Sequence, residues 1–125
     1  MSLHALGSAV GLVFVMFFVT VTAQDEIELT TVVGCLKQED SQLPWVLERA
    51  TAGTETETAF TNREELDRSS REELGTLQYR LLGVGEFGIE SHIGHKLQIK
   101  GLKLRFDGEW RLNVTSLQQL LSSCE

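Results

Sequence analysis

The chain has 125 residues, with 18 acidic side chains against 11 basic ones and a formal net charge of −7. This acidic balance argues against nucleic-acid binding, because an acidic surface repels phosphate backbones. A chain of this length supplies one hydrophobic core, so we expect a single domain and a monomer.

The N-terminal segment, residues 1–23, has the pattern of an export signal. Residues 5–23 carry no charged side chain, and they end at Val21-Thr22-Ala23, where small residues form a cleavage site before polar Gln24. The apolar run also approaches the length that spans a bilayer, so the alternative is a membrane anchor at residues 5–23. Either interpretation places the domain of residues 24–125 in the periplasm or outside the cell.

The two cysteines fit this compartment. Cys35 and Cys124 are the only cysteines in the sequence, and thiols outside the cytoplasm tend to oxidise. Two cysteines allow one intramolecular pairing, so we predict a Cys35–Cys124 disulfide. The alternative is two free or separately buried thiols. A redox-active pair is disfavoured because the chain has no C-x-x-C spacing.

Alternating apolar residues predict the first two strands. The second strand covers residues 44–49, with Trp45 and Leu47 pointing inward. The first covers residues 27–36, with one face formed by Ile27, Leu29, Val33 and Cys35.

Residues 51–76 differ from the rest of the domain because they are rich in Thr, Glu and Arg. Asn62 and Ser70 each precede a glutamate by three residues, which is the spacing of a helix capping box. We predict a mobile acidic insert with one or two short helical turns. The favoured interpretation is a solvated connection, and the alternative is a partner-docking segment.

The C-terminal half predicts three more strands. Residues 77–81 form the third strand, and a short helix near 88–93 follows it. A fourth strand bends at a β-bulge at Gly101, after which Leu102, Leu104 and Phe106 would point inward. A three-residue turn would then pair Phe106 with Trp110 on the return strand.

Five strands with a helix between the third and fourth predict an all-β fold, a small OB-fold-like Greek-key barrel. Three blocks of sequence carry a resemblance as well: residues 31–36 (TVVGCL), 92–101 (HIGHKLQIKG) and 112–116 (LNVTS). They resemble small exported bacterial OB-fold-like proteins of unknown function, which have a Gly-Cys-Leu start, a Gly-His-Lys centre and a terminal cysteine. The resemblance implies a fold and an envelope location but no activity.

No motif predicts an enzyme or a cofactor. Gly83-x-Gly85-x-x-Gly88 matches a dinucleotide fingerprint, but the long helix that must receive the pyrophosphate does not fit before the fourth strand. His92 and His95 are candidate metal ligands, and they lack the third ligand that a stable site needs. A metal carrier or a metal-dependent enzyme that uses these two histidines is an alternative function.

The basic residues of the fourth strand are the candidate partner face. Lys96, Lys100, Lys103 and Arg105 would project from its outer surface, where they could attract an acidic glycan, an anionic lipid headgroup or an acidic protein. Alternatively, the lysines only protect an exposed strand from edge pairing. The leading hypothesis is a non-catalytic binding module of the cell envelope, and another alternative is a structural or stress-related accessory protein without a ligand.

Overall fold

A computed structural model describes residues 7, 11–17 and 27–125. The predicted cleavage site at residues 21–23 lies outside the described residues, so the leader remains a prediction. In its described part, residues 11–17 have no regular secondary structure, and the apolar side chains there are exposed. Among the described helices, none combines the length and the apolar character needed to cross a bilayer.

Residues 27–125 form a closed five-stranded barrel with a short sixth strand beside it. The elements are β1 (Glu28–Gln38), β2 (Trp45–Ala50), β3 (Thr54–Glu55), α1 (Arg63–Ser70), β4 (Leu77–Leu82), a 3₁₀ helix (Ile89–His92), β5 (Lys96–Phe106) and β6 (Glu109–Leu121). The strands of the barrel are hydrogen-bonded in the order β1-β2-β4-β6-β5, and β5 pairs with β1 to close the barrel. β4 and β6 are parallel, whereas the other pairs are antiparallel.

The predicted small all-β barrel with one short helix before the fourth long strand is therefore confirmed. Apolar side chains from every long strand and from the 3₁₀ helix fill its interior. Burial of this apolar surface is the main term that stabilises the barrel. The core consists of Val32, Leu36, Trp45, Leu47, Ala50, Tyr79, Leu81, Ile89, Leu97, Ile99, Leu112, Val114 and Leu117.

The predicted disulfide is also confirmed. The sulfur atoms of Cys35 and Cys124 are 2.06 Å apart, and their Cα atoms are 6.2 Å apart. The bond ties the tail that follows β6 to the part of β1 that pairs with β2. Disulfides persist in oxidising compartments and are rare in the cytoplasm, so this bond indicates a non-cytoplasmic location.

The predicted inward face of β1 is wrong. The core contains Val32 and Leu36, whereas Ile27 is 64% exposed and Val33 is buried outside the core. Residues 32–36 are all buried, so both faces of this part of β1 are covered. The Val33 N–H also donates a hydrogen bond to the Thr51 hydroxyl at 3.1 Å. With both faces covered, the alternation of apolar residues does not identify the interior.

The turn between β5 and β6 also differs from the prediction. It contains two residues, Asp107 and Gly108, with φ angles of 53° and 75°. Positive φ at both central residues identifies a type I′ turn, which Asp-Gly favours because its twist matches that of the flanking strands. Phe106 therefore pairs with Glu109 and not with Trp110.

This shorter turn determines which residues of β5 face the interior of the barrel. Lys103 pairs with Leu112, and Arg105 pairs with Trp110. Directly paired residues share a face of the sheet, so Lys103 lies on the side of core residue Leu112. The predicted inward positions after Gly101 are therefore wrong, and Phe106 is 58% exposed.

A bulge does occur at the predicted glycine. Lys100 pairs with Ser116 but Gly101 pairs with Val114, which leaves Thr115 as the extra residue. The bulged strand is thus β6 and not β5. A Cβ atom on Gly101 would lie 2.7 Å from the Asn113 carbonyl oxygen, so the glycine permits a close approach of the two strands.

The insert of residues 51–76 contains β3 and α1. The first helix start is confirmed, because Asn62 is the N-cap of α1 and its side chain accepts a hydrogen bond from the Glu65 N–H at 2.9 Å. The Glu65 carboxylate binds Lys100 instead of completing a capping box. The second capping box, at Ser70, is not used, since α1 ends there. β3 pairs with the outer edge of β1, and the insert covers part of the outer surface of β5.

Candidate functional site

The four cations of β5 are divided between the interior and the surface. Lys96 is 8% exposed and Lys100 is 0% exposed, both beneath the insert. Lys103 is half-buried and Arg105 is exposed, at the far end of the strand. Lys96 and Lys100 are therefore not part of an exposed basic face, which corrects that expectation. The insert folds over them because their ammonium groups bind its backbone.

Lys100 anchors the first half of the insert. Its Nζ lies 2.6 Å from Glu65 Oε2 and donates hydrogen bonds to the carbonyl oxygens of Phe60, at 2.9 Å, and Thr58, at 3.2 Å. A buried ammonium group is stable only when a counterion and hydrogen-bond acceptors replace its water. The insert supplies both to Lys100.

Lys96 anchors the end of α1. Its Nζ donates hydrogen bonds to the carbonyl oxygens of Ser70, at 3.2 Å, and Glu72, at 2.6 Å. Carbonyl groups at the C-terminal end of a helix lack partners within the helix, and a cation there also interacts favourably with the helix dipole. The two buried lysines thus fasten the insert at two points, and their role is structural.

Lys100 also sets the titration of Glu65. Its hydrogen bond, assisted by one from the Thr61 hydroxyl, holds the pKa of the Glu65 carboxyl below its ordinary value of 4.5. A carboxyl group whose pKa is lower in the folded state than in the unfolded state stabilises the fold fully at pH values above its unfolded-state pKa. This stabilisation is lost as the pH falls through the folded-state pKa.

We therefore expect Glu65→Gln to flatten the dependence of the free energy of unfolding on pH below about 4.5, measured by urea denaturation at several pH values. Some slope will remain, because Arg80 lowers the pKa of Glu39 in the same direction. Glu64→Gln, on the exposed face of the same helical turn, is the matched control. If the free energy of unfolding fell equally steeply with pH in Glu65→Gln and in the wild type, the lowered pKa of Glu65 would be contradicted.

The surface end of β5 carries a cationic and aromatic group of side chains, Lys103, Arg105 and Trp110, which we name the Trp110 cluster. Lys103 Nζ lies 4.4 Å from the Trp110 ring centroid, and Arg105 Cζ lies 4.8 Å from it. Cations at these distances are attracted to the face of an indole ring. The ring orders two long side chains while leaving their charge at the surface.

Ion pairs hold this end of the barrel together. Arg80 on β4 lies 2.9 Å from Glu39, in the β1–β2 loop, and 3.1 Å from Glu109, at the start of β6. It also donates a hydrogen bond to the Leu43 carbonyl oxygen at 2.8 Å. The Arg80 side chain is only 12% exposed. The β1–β2 loop is therefore fixed beside the hairpin that carries Trp110.

A polar cavity of about 260 Å³ lies between the insert and the barrel. Gln98 and Ser69 are the buried residues of its lining, and Glu55, Arg68 and Glu72 are exposed ones. Sequence reasoning missed this cavity because the insert was interpreted as a solvated connection. The sequence pattern that could have predicted it is the alternation of the polar residues Lys96, Gln98 and Lys100 in β5, together with the threonine-rich insert.

His92 and His95 do lie together, with ring centroids 5.9 Å apart and ring planes at 82°. His92 Nδ1 is 3.2 Å from Gln119 Oε1. Within residues 7, 11–17 and 27–125, no group of three or more His, Cys, Asp or Glu side chains is placed to hold a metal ion. Two histidines alone provide fewer ligands than a stable zinc site requires.

No family model, curated protein or solved structure matches the chain significantly.

The two candidate surfaces of the described chain therefore have to be compared by their chemistry. The Trp110 cluster presents two cations at an exposed end of the barrel, which suits an anionic group. The cavity presents carboxylates and an amide, which suit a hydrogen-bond donor. These preferences are opposite in charge, so one ligand would not satisfy both surfaces.

Proposed function

We propose that the protein is an exported, non-catalytic binding module of the cell envelope that binds an acidic ligand at the Trp110 cluster. The observation that carries the proposal is the ordering of Lys103 and Arg105 over the Trp110 ring. On a chain of net charge −7, such a local positive site attracts an anion and orients the rest of the molecule away from it.

The arrangement of the barrel supports this location. We infer an OB-like fold from the strand order β1-β2-β4-β6-β5, with the short β3 omitted and β4 parallel to β6. OB folds bind ligands on the face of their second and third strands, between the loop that joins the first two strands and the loop that joins the last two. Here Arg80 holds both of those loops at the end that carries the Trp110 cluster.

Export is supported by two features of different kinds. The Cys35–Cys124 disulfide favours an oxidising compartment. The apolar run before the small residues at 21–23 is typical of a secretory leader. A periplasmic or extracellular address makes acidic glycans, anionic lipid headgroups and acidic proteins the accessible ligand classes.

The test is a binding titration with one probe of each class: an oligogalacturonate, phosphatidylglycerol vesicles and a polyglutamate peptide. We expect one of them to bind saturably and Lys103→Glu/Arg105→Glu to weaken that binding at least about tenfold. Added salt should weaken wild-type binding as well, because the site is exposed.

The matched control is Arg63→Glu/Arg71→Glu, which makes the same change in net charge at two exposed arginines of the insert. It should leave the affinity within about twofold, because these residues lie outside the cluster. Equal weakening by both double variants would show that bulk charge, and not the Trp110 cluster, drives binding. Failure of all three probes would favour an accessory role without a ligand.

A further inference from the structure

We propose that the polar cavity between the insert and β5 binds a small organic cation with several N–H donors, such as a diamine or a guanidinium compound. This site is separate from the Trp110 cluster and has the opposite charge preference. The proposal rests on an unpaired acceptor in the lining, on the balance of charges around it and on the volume of the cavity.

The unpaired acceptor is the side-chain carbonyl of Gln98. Gln98 is 0% exposed and lines the cavity. Its Nε2 donates a hydrogen bond to Ser69 Oγ at 2.8 Å, but no donor among the described residues reaches its Oε1. A buried acceptor without a partner destabilises the folded protein. An N–H group of a ligand would remove this effect.

The charges of the lining favour a cationic donor. Three carboxylates and one guanidinium group line the cavity, but Glu65 is already paired with Lys100. The other charged side chains of the lining are the carboxylates of Glu55 and Glu72 and the guanidinium group of Arg68, so the lining has an excess of one negative charge. A donor that carries positive charge would therefore satisfy Gln98 and also balance the exposed carboxylates.

The size of the cavity sets the scale of the ligand. Its volume of about 260 Å³ is many times the roughly 10–15 Å³ of such space that one water molecule needs. It is close to the lower limit, about 300 Å³, of ordinary small-molecule sites. A short amine therefore fits these dimensions better than a nucleotide or an oligosaccharide.

The probe we would use is agmatine, which carries an ammonium group at one end and a guanidinium group at the other. Titrated into the exported protein and followed by NMR chemical shifts, it should shift the amide signals of β3, α1 and Gln98 saturably. Glutarate, an anion of similar length, should not. No saturation by about 10 mM agmatine, or equal binding of glutarate, would overturn the proposal.

Two adjacent glutamates provide a matched pair of variants. Glu72 lines the cavity and Glu73 does not, although both are exposed and follow α1. Glu72→Gln should weaken agmatine binding at least about threefold, and Glu73→Gln should leave it unchanged. Equal affinities in the two variants would contradict the site.

Variants of Gln98 test the acceptor itself. Gln98→Met removes Oε1 at similar side-chain length and should weaken binding at least about tenfold. Gln98→Glu keeps an acceptor at this position and should bind agmatine as tightly as the wild type or more tightly. Weaker binding by a folded Gln98→Glu variant would overturn the assignment. If Gln98→Met does not fold, the comparison of Glu72→Gln with Glu73→Gln decides the question.

Discussion

Removal of the Cys35–Cys124 disulfide is expected to lower the free energy of unfolding by about 4–5 kcal/mol. The two cysteines are 89 residues apart in the sequence, so the bond closes a loop that contains nearly the whole barrel. Cross-linking so long a loop removes many conformations from the unfolded chain and thereby stabilises the folded one. For a domain whose total stability is about 5–15 kcal/mol, this is a large fraction.

The measurement is urea denaturation with and without a reductant. The midpoint of the wild type should fall on reduction, whereas that of Cys35→Ala/Cys124→Ala should not respond to the reductant. The double variant should unfold close to the reduced wild type. Coincident curves for the oxidised wild type and the double variant would show that the bond contributes no stability.

The second large effect is expected at Lys100. Lys100→Met should lower the free energy of unfolding by about 3 kcal/mol, because it removes one partner of a buried ion pair. It also removes the donor that serves the carbonyl oxygens of Thr58 and Phe60. Methionine has a similar length, so little of the loss should come from an empty space. Hydrogen exchange in α1 should rise as well, since the insert would lose an anchor.

Lys37→Met is the control for this variant. Lys37 lies 3.2 Å from Glu39 and 3.1 Å from Glu48, but its side chain is 37% exposed. Exposed ion pairs contribute little, so the loss should stay within about 1 kcal/mol although two pairs are removed. A comparable loss for Lys37→Met and Lys100→Met would contradict the structural role that we assign to burial.

The sequence predicts the interior face of a strand well where only one of its faces is covered. In β4 the core residues Tyr79 and Leu81 are buried and alternate with residues that are partly exposed. Trp45 and Leu47 in β2 were expected to point inward and do belong to the core, although Val46 between them is buried as well. Alternation fails on β1, because residues 32–36 are buried on both faces of the strand. A strand buried on both sides does not show which side is the interior.

The functional surfaces were predictable only in part. Lys103 and Arg105 were identified as candidate residues, but their stacking on Trp110 depends on a two-residue turn, and the expected turn had three residues. The cavity depends on contacts of Lys96 and Lys100 with backbone carbonyls some 24–42 positions away in the chain. No local pattern encodes such contacts.

The position of β6 constrains how the molecule is made. Among the described strands β6 comes last in the sequence, yet it lies between β4 and β5 and pairs with both. The sheet therefore cannot close before residues 109–121 have been synthesised. Contacts between distant parts of a chain form slowly, so we expect closure of the barrel to be a late step of folding.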